Sequence, residues 1–230
     1  MCWFQGEKSP KIPELNRECI ERWKNLNKDW EVNIISFKNV KFYVPDFFDI
    51  LENSPYRARL SHKSDLLRLL LLERYGGVWA DASLYPITGM NDIAKDYLNE
   101  EGFFAYRYMP RLINDAGPKE IASFFLLSPN KDSYIIQRWR ENFQKRFMFD
   151  RNKDFEYHAV FSVISELYDS DEKIKKTINN MVQVDEKSTH SFVGRNDMYL
   201  ENFYCHTYKR PNKKDMIEYL SSINKKPTDL

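Results

Sequence analysis

Two short groups of residues in this 230-residue chain have the types and spacing of a chemical site. The first is Ser64, Asp65 and Arg68, all within one turn of a helix-forming stretch, with Asp65 and Arg68 on one face at i, i+3. Near a helix N-terminus, unpaired backbone N–H groups and the macrodipole favour anions. The same residues also read as an N-cap and a weak surface ion pair. The second group is Asp81-Ala82-Ser83. It follows Tyr75-Gly76-Gly77, a turn with two permissive glycines, and Val78-Trp79-Ala80, which enters a core. A carboxylate emerging there beside small residues suits an oxygen-ligand divalent cation, Mg²⁺ or Mn²⁺, that holds a diphosphate. It equally suits a plain loop cap.

The elements around these groups follow from periodicity. Residues 1–5 are apolar and aromatic before Gly6 and read as a first strand. Ile12, Leu15, Cys19, Trp23 and Leu26 recur at helical spacing behind Pro10 and Pro13. Residues 31–36 (EVNIIS) fit a second strand, and residues 45–52 a short helix. Residues 61–75 form a strong helix, with Leu66, Leu67, Leu70 and Leu71 as its apolar face and Gly76 as its stop. Residues 77–81 are a short strand ending on Asp81. This order favours an α/β sheet with parallel neighbours, which binds ligands beyond the carboxyl ends of its strands. Further on, residues 102–107, 121–128, 181–184 and 203–206 read as strands. Residues 132–147, 155–168, 172–178 and 213–223 read as helices.

Composition limits the function classes. The 35 basic and 34 acidic side chains give a net charge of +1, which argues against a nucleic-acid partner. An aromatic content of 15% argues against a disordered chain. Cys2, Cys19 and Cys205 are far apart and no CxxC pair exists, so a zinc knuckle is not expected. The odd cysteine count suggests a reducing compartment. No run reaches the roughly 20 apolar residues of a membrane span, and the N-terminal MCWFQGEKSP lacks signal-peptide character. The expectation is a cytoplasmic protein. Peripheral membrane contact through the basic stretch 209–214 is an additional possibility.

The pattern SDLLRLLLLERYGGVWADAS, with the early Cys2-Trp3-Phe4-Gln5-Gly6, resembles the sugar-transferase family of capsular polysaccharide synthesis proteins. It is similar to the wider group with a DXD sugar-binding region, which includes the yeast initiating mannosyltransferases and the glucosylating clostridial toxins. The resemblance is strongest over residues 2–86. It implies an α/β fold of the GT-A type: a Rossmann-like mixed sheet flanked by helices, with a helical acceptor-side half. A single domain over residues 1–230 is expected, with 1–110 as the nucleotide-sugar-binding half and 111–230 as the acceptor-side half. By this resemblance Trp3, Phe4 and Gln5 border the base of a nucleotide-sugar donor. Ser64, Asp65 and Arg68 hold its ribose or sugar, and Asp81 is the first carboxylate of the DXD. The second acidic place is Ser83 here, a weaker and neutral ligand for Mn²⁺ or Mg²⁺.

The run His206-Thr207-Tyr208-Lys209 resembles a late family segment near the donor phosphates. His206 there suits a metal and Lys209 a phosphate, while a strand-end histidine on a basic surface explains them as well. Asp154 and His158 open a helix in a segment that resembles the acceptor-facing region. They suit either acceptor positioning and proton transfer or a simple cap. Ser123 and Phe124 lie in a strand resembling one that borders the donor sugar, and an ordinary core strand serves equally. His62 and His190 read as surface or loop residues, and Tyr106, Tyr108, Trp139 and Phe143 as core more than sugar platforms. The expected activity is metal-assisted, retaining transfer from a nucleotide sugar, with uridine diphosphate sugars first and guanosine diphosphate sugars second. The acceptor would be a glycan or a lipid-linked sugar. The rivals are an inactive sugar-nucleotide-binding module and a metal-dependent phosphohydrolase.

Overall fold

The computed structural model describes residues 2–3, 12–53, 60–107, 121–149, 159–184 and 207–209. Its centre is a three-stranded sheet in the order β3-β6-β5, formed by β3 (Gly77–Ala80), β6 (Ile121–Ser128) and β5 (Phe104–Arg107). Both pairings are antiparallel, with Trp79 opposite Leu126 and Ala105 opposite Leu126 from the other side. The expectation of parallel neighbours holds only for β1 (Cys2–Trp3) and β2 (Ile34–Ile35). The βαβ order of the first third fixes that pair. The central sheet differs because β6 arrives late in the chain and inserts, reversed, between two earlier strands. All eight residues of β6 are buried, as a strand covered on both faces requires.

One face of the sheet is covered by α4 (Leu60–Tyr75), α6 (Tyr134–Phe149), α7 (Ala159–Ser170) and α8 (Glu172–Asn180). Leu66, Leu67, Trp79, Leu126, Trp139, Phe143 and Ile164 share this core. The other face is covered by α1 (Glu14–Leu26), β4 (Leu84–Pro86) and α5 (Met90–Tyr97), around Ile20, Trp23, Phe104, Tyr106 and Phe125. Trp23 ties α1 to β4 by donating its indole N–H to the Leu84 carbonyl at 3.0 Å. Tyr106, Trp139 and Phe143 are core residues, as expected.

α4 departs from the one-faced helix expected. Every residue from Ser64 to Leu72 is buried, polar ones included. A helix buried all round sits inside the domain, and this one lies between the sheet and α6. It ends at Gly76 and Gly77, with φ of +66° and +89°. A Cβ on Gly76 would meet the Pro129 carbonyl, so the turn into β3 needs glycine twice over.

Four described elements were absent from the sequence expectation: α2 (Val40–Tyr43), β4, α5 and a short strand at 207–209. α2 is a single turn and β4 ends on a proline, so neither carries a periodic signal. α5 is started from a distance. Asn27, just past α1, accepts the backbone N–H of Met90 on its side-chain oxygen. Residues 181–184, expected as a strand, form none, but Val184 accepts the Arg107 N–H at 2.8 Å beside β5. β7 (Thr207–Lys209) pairs antiparallel with β4. The expected strand 203–206 and helix 213–223 lie outside the described residues.

Candidate functional site

The site forms where β3 leaves the sheet. The Asp81 N–H donates to the Phe124 carbonyl at 2.9 Å, and the Asp81 carbonyl accepts from Leu84 at 2.9 Å. These bonds make a tight turn through Ala82 and Ser83 into β4. Ala82 is buried, while the Asp81 side chain keeps 27% of its surface exposed. Its Oδ1 accepts the Trp79 indole N–H at 2.9 Å and stands 3.7 Å from Arg68 Nη2.

Arg68 is the centre of the arrangement. Its Nη2 pairs with Asp65 Oδ1 at 2.9 Å, and both side chains are buried, at 6% and 8% exposure. Its Nη1 donates to Ser123 Oγ at 2.8 Å and to the Ser123 carbonyl. Its Nε reaches the Ser64 carbonyl at 3.3 Å, and its carbon lies 5.2 Å from the Trp79 ring centre. The expected surface ion pair is therefore an interior one: α4 is sunk in the core and carries Asp65 and Arg68 with it. Ser64 is also not at the helix start. α4 begins at Leu60, so Ser64 lies past the first four N–H groups, and its hydroxyl accepts from Arg68 Nη2 at 3.4 Å.

A strand irregularity makes room for these contacts. Between the pairs Ala105–Leu126 and Arg107–Ile121, residues 122–125 of β6 span what Tyr106 alone spans on β5. Such bulges re-aim side chains and carbonyls beside sites. Here the bulged backbone offers the Phe124 carbonyl to Asp81 and both oxygens of Ser123 to Arg68.

Sequence reading brought forward Ser64, Asp65, Arg68 and Asp81, and the fold draws them together. Ser83 sits in the turn two residues on, half-buried. β1 carries Trp3 to the edge near β3. Phe4, Gln5, Asp154, His158 and His206 lie outside the described residues, as do Tyr108 and His190. The Lys209 backbone pairs with Leu84, three residues after Asp81. His62 was expected at the surface or in a loop. It is instead wholly buried on α4, because that helix starts earlier and lies deeper than its sequence suggested. The clearest partner that sequence alone did not assign is Ser123, 55 residues from Arg68.

Among the described residues, no three His, Cys, Asp or Glu side chains gather as a cation site. What remains at the turn is the Asp81 carboxylate with Ser83 two residues on. So small a donor set fits Mg²⁺ or Mn²⁺ held largely by substrate phosphates, since Mg²⁺ in such sites uses one or two carboxylates and keeps waters. Also among the described residues, no helix is long and apolar enough to cross a membrane.

Known proteins agree with this architecture. The solved PaToxG glycosyltransferase superposes with a TM-score of 0.51 at 19% identity, covering 77% of this chain and 70% of that one. The fold is thus mixed α/β of the GT-A type. In sequence, the chain is 28% identical over 142 residues to the O-glycosyltransferase braB of Annulohypoxylon truncatum, covering 58% of this chain and 34% of braB. It is 24% identical over 156 residues to the O-glycosyltransferase PaGT of Phomopsis amygdali, covering 61% and 36%. The chain therefore spans about a third of the length of these curated relatives. The family described as capsular polysaccharide synthesis protein matches residues 1–222. With nearly its whole length matched, and with the Ser-Asp helix meeting the strand-end carboxylate, the chain belongs to the capsular polysaccharide synthesis protein family.

Proposed function

We propose that this chain is a glycosyltransferase that moves a sugar from a nucleotide-sugar donor to a glycan or lipid-linked acceptor in polysaccharide synthesis. The observation that carries the reading is the convergence of Asp65, Arg68 and Asp81 on one strand end, with Asp81 half-open to solvent. Both relatives are named O-glycosyltransferases, which supports it. Uridine diphosphate sugars are the first choice of donor and guanosine diphosphate sugars the second. Residues 1–110 would hold the donor, with Trp3, Phe4 and Gln5 at the base, and residues 111–230 the acceptor.

The chemistry asks for a leaving group that gains charge as the glycosidic bond lengthens and the anomeric carbon becomes oxocarbenium-like. Fixed positive groups at the developing charge stabilise that state most when they need no reorganisation. Arg68 is held by five different groups before any ligand arrives, so it is preorganised. Asp65, already paired with it, is placed to accept from a ribose or sugar hydroxyl. A divalent cation at Asp81 and Ser83, with His206 as a further ligand, would neutralise diphosphate oxygens when bound. Lys209 would add positive field. Asp154 or His158 would position the acceptor hydroxyl, and close positioning supplies several kcal/mol. A retaining course needs no strong general base. We place the protein in the cytoplasm, with peripheral membrane contact through the basic stretch that starts at Lys209.

A second reading is a sugar-nucleotide-binding module without turnover. Ser83 at the second acidic place favours it, because a neutral hydroxyl binds a cation more weakly. The test is donor hydrolysis with Mn²⁺. A transferase releases nucleoside diphosphate slowly, and Asp81→Asn abolishes the release. An inactive module binds donor and releases nothing with any metal. Release of inorganic phosphate from simple esters would sink both in favour of a phosphohydrolase.

A further inference from the structure

At the same end of the central sheet, on the far side of the bulge, a second guanidinium has one nitrogen without a matching acceptor among the described residues. Arg107 is the last residue of β5, and β5 runs toward the edge at which β3 delivers Asp81. Two strand spacings, about 10 Å, separate β5 from β3. Arg107 pairs with Ile121, the first residue of β6, immediately beyond the bulged residues 122–125. Its backbone N–H is used by the Val184 carbonyl. Its Nη1 is cut off from solvent and has no hydrogen-bond partner among the described residues. Among the described residues the Tyr168 hydroxyl raises its basicity, and that hydroxyl itself donates to Asn179 at 2.8 Å. Burial dominates and holds the guanidinium below its ordinary range.

Arg68 and Arg140 are arranged differently, while Arg22 and Arg138 each keep one buried nitrogen unmatched among the described residues. Arg68 pairs with Asp65, and Arg140 takes both oxygens of Glu73. A buried donor left unmatched costs stability, and such costs persist at positions that serve a ligand. Two strand spacings set Arg107 beside the Asp81 end of β3 rather than at it.

We propose that Arg107 is a binding residue for an oxyanion carried by the substrate, either a carboxylate on the transferred sugar or a phosphate on the acceptor. This rests on the transferase reading above, and it adds a negatively charged substrate to it. The planar fork of an arginine takes carboxylate and phosphate alike, by two parallel hydrogen bonds.

The test compares the wild type with Arg107→Met and Arg107→Lys. Affinities are measured by calorimetry for uridine diphosphate, its glucose and glucuronate sugars, and farnesyl phosphate as a short lipid phosphate. We expect all three proteins to bind uridine diphosphate and its glucose sugar equally. Arg107→Met should lose about ten- to a hundredfold for the glucuronate sugar or for farnesyl phosphate, the loss of a charge-assisted hydrogen bond. Arg107→Lys should retain part of it. Loss with the glucuronate sugar identifies a sugar carboxylate, and loss with farnesyl phosphate an acceptor phosphate. Without ligand, Arg107→Met should melt about 2–4 °C higher, since it removes a half-buried charge that carries an unmatched donor. Equal affinity of wild type and Arg107→Met for all four compounds, or a lower melting temperature, overturns the assignment. A wild type that binds no uridine compound defeats the donor reading instead, and the farnesyl phosphate arm then decides Arg107 alone.

Discussion

Two arginine–carboxylate pairs involve α4, one at its middle and one in its last turn, and they are built to different ends. Near the C-terminus of the helix, Glu73 takes Arg140 of α6 through two bonds of 2.7 Å. That pair is complete, partly screened at 15% and 21% exposure, and joins two helices. Two turns in from the N-terminus, Arg68 divides its guanidinium among Asp65, Ser64 and Ser123, with Asp81 just beyond bonding reach at 3.7 Å. The first arrangement leaves no capacity for a ligand. The second holds a cation rigid while leaving one nearby carboxylate open. The same two residue types thus serve as a clasp in the last turn of the helix and as a binding surface at its middle.

Breaking the Arg68 cluster should have the largest effect. Arg68→Met removes the cation facing a buried carboxylate, and such losses cost about 3–5 kcal/mol. We expect a large drop in the urea midpoint together with loss of uridine diphosphate binding. If the variant loses stability but keeps uridine diphosphate binding, Arg68 is no more than a clasp. Arg140→Met should cost less, about 1–2 kcal/mol, between the values for exposed and buried pairs. Nucleotide binding should survive it. The double variant Glu73→Leu with Arg140→Met should recover most of the loss, because an apolar pair of similar volume replaces the ionic one. Failure of that recovery would mean that the pair does more than join helices.

A third cluster sharpens the comparison by its pH response. Asp171 caps α8 by accepting the N–H groups of Lys173 and Ile174, and it also accepts the Tyr134 hydroxyl at 2.8 Å. Burial pushes its carboxyl upward, but the Tyr134 bond, the two backbone bonds and Arg138 outweigh this, and it titrates below the usual aspartate range. A carboxyl lowered in the folded state adds stability above its unfolded value of about 3.9 and loses it as pH falls through the folded value. Asp171→Asn keeps a capping oxygen but cannot ionise. Urea midpoints of wild type and variant should therefore converge as pH falls below about 4, with the smallest separation of the three clusters at neutral pH. A constant gap across pH would remove the ionisation argument.

Much of this was legible in the sequence where the signal was local. The run of leucines closed by Tyr75-Gly76-Gly77 marks α4 and its stop, and Asp81 falls at a strand end because Val78-Trp79-Ala80 must be buried. What escaped was set by distant partners. Nothing near Arg68 announces Ser123, and nothing near Met90 announces Asn27, 63 residues away. The depth of α4 escaped for the same reason. Its periodicity suggests one apolar face, yet α6 arrives from 60 residues later to cover the other and buries His62, Asp65 and Arg68 with it. The antiparallel place of β6 could not be read from a strand order that stops before it.

Trp79 ends up with its indole N–H on the Asp81 carboxylate and its ring beneath the Arg68 guanidinium, almost wholly out of water. Indole emission responds to the electric field of nearby charges. The protein therefore carries an optical reporter wired to its own strand-end carboxylate: whatever takes hold of Asp81 should alter the light from Trp79, with no label attached.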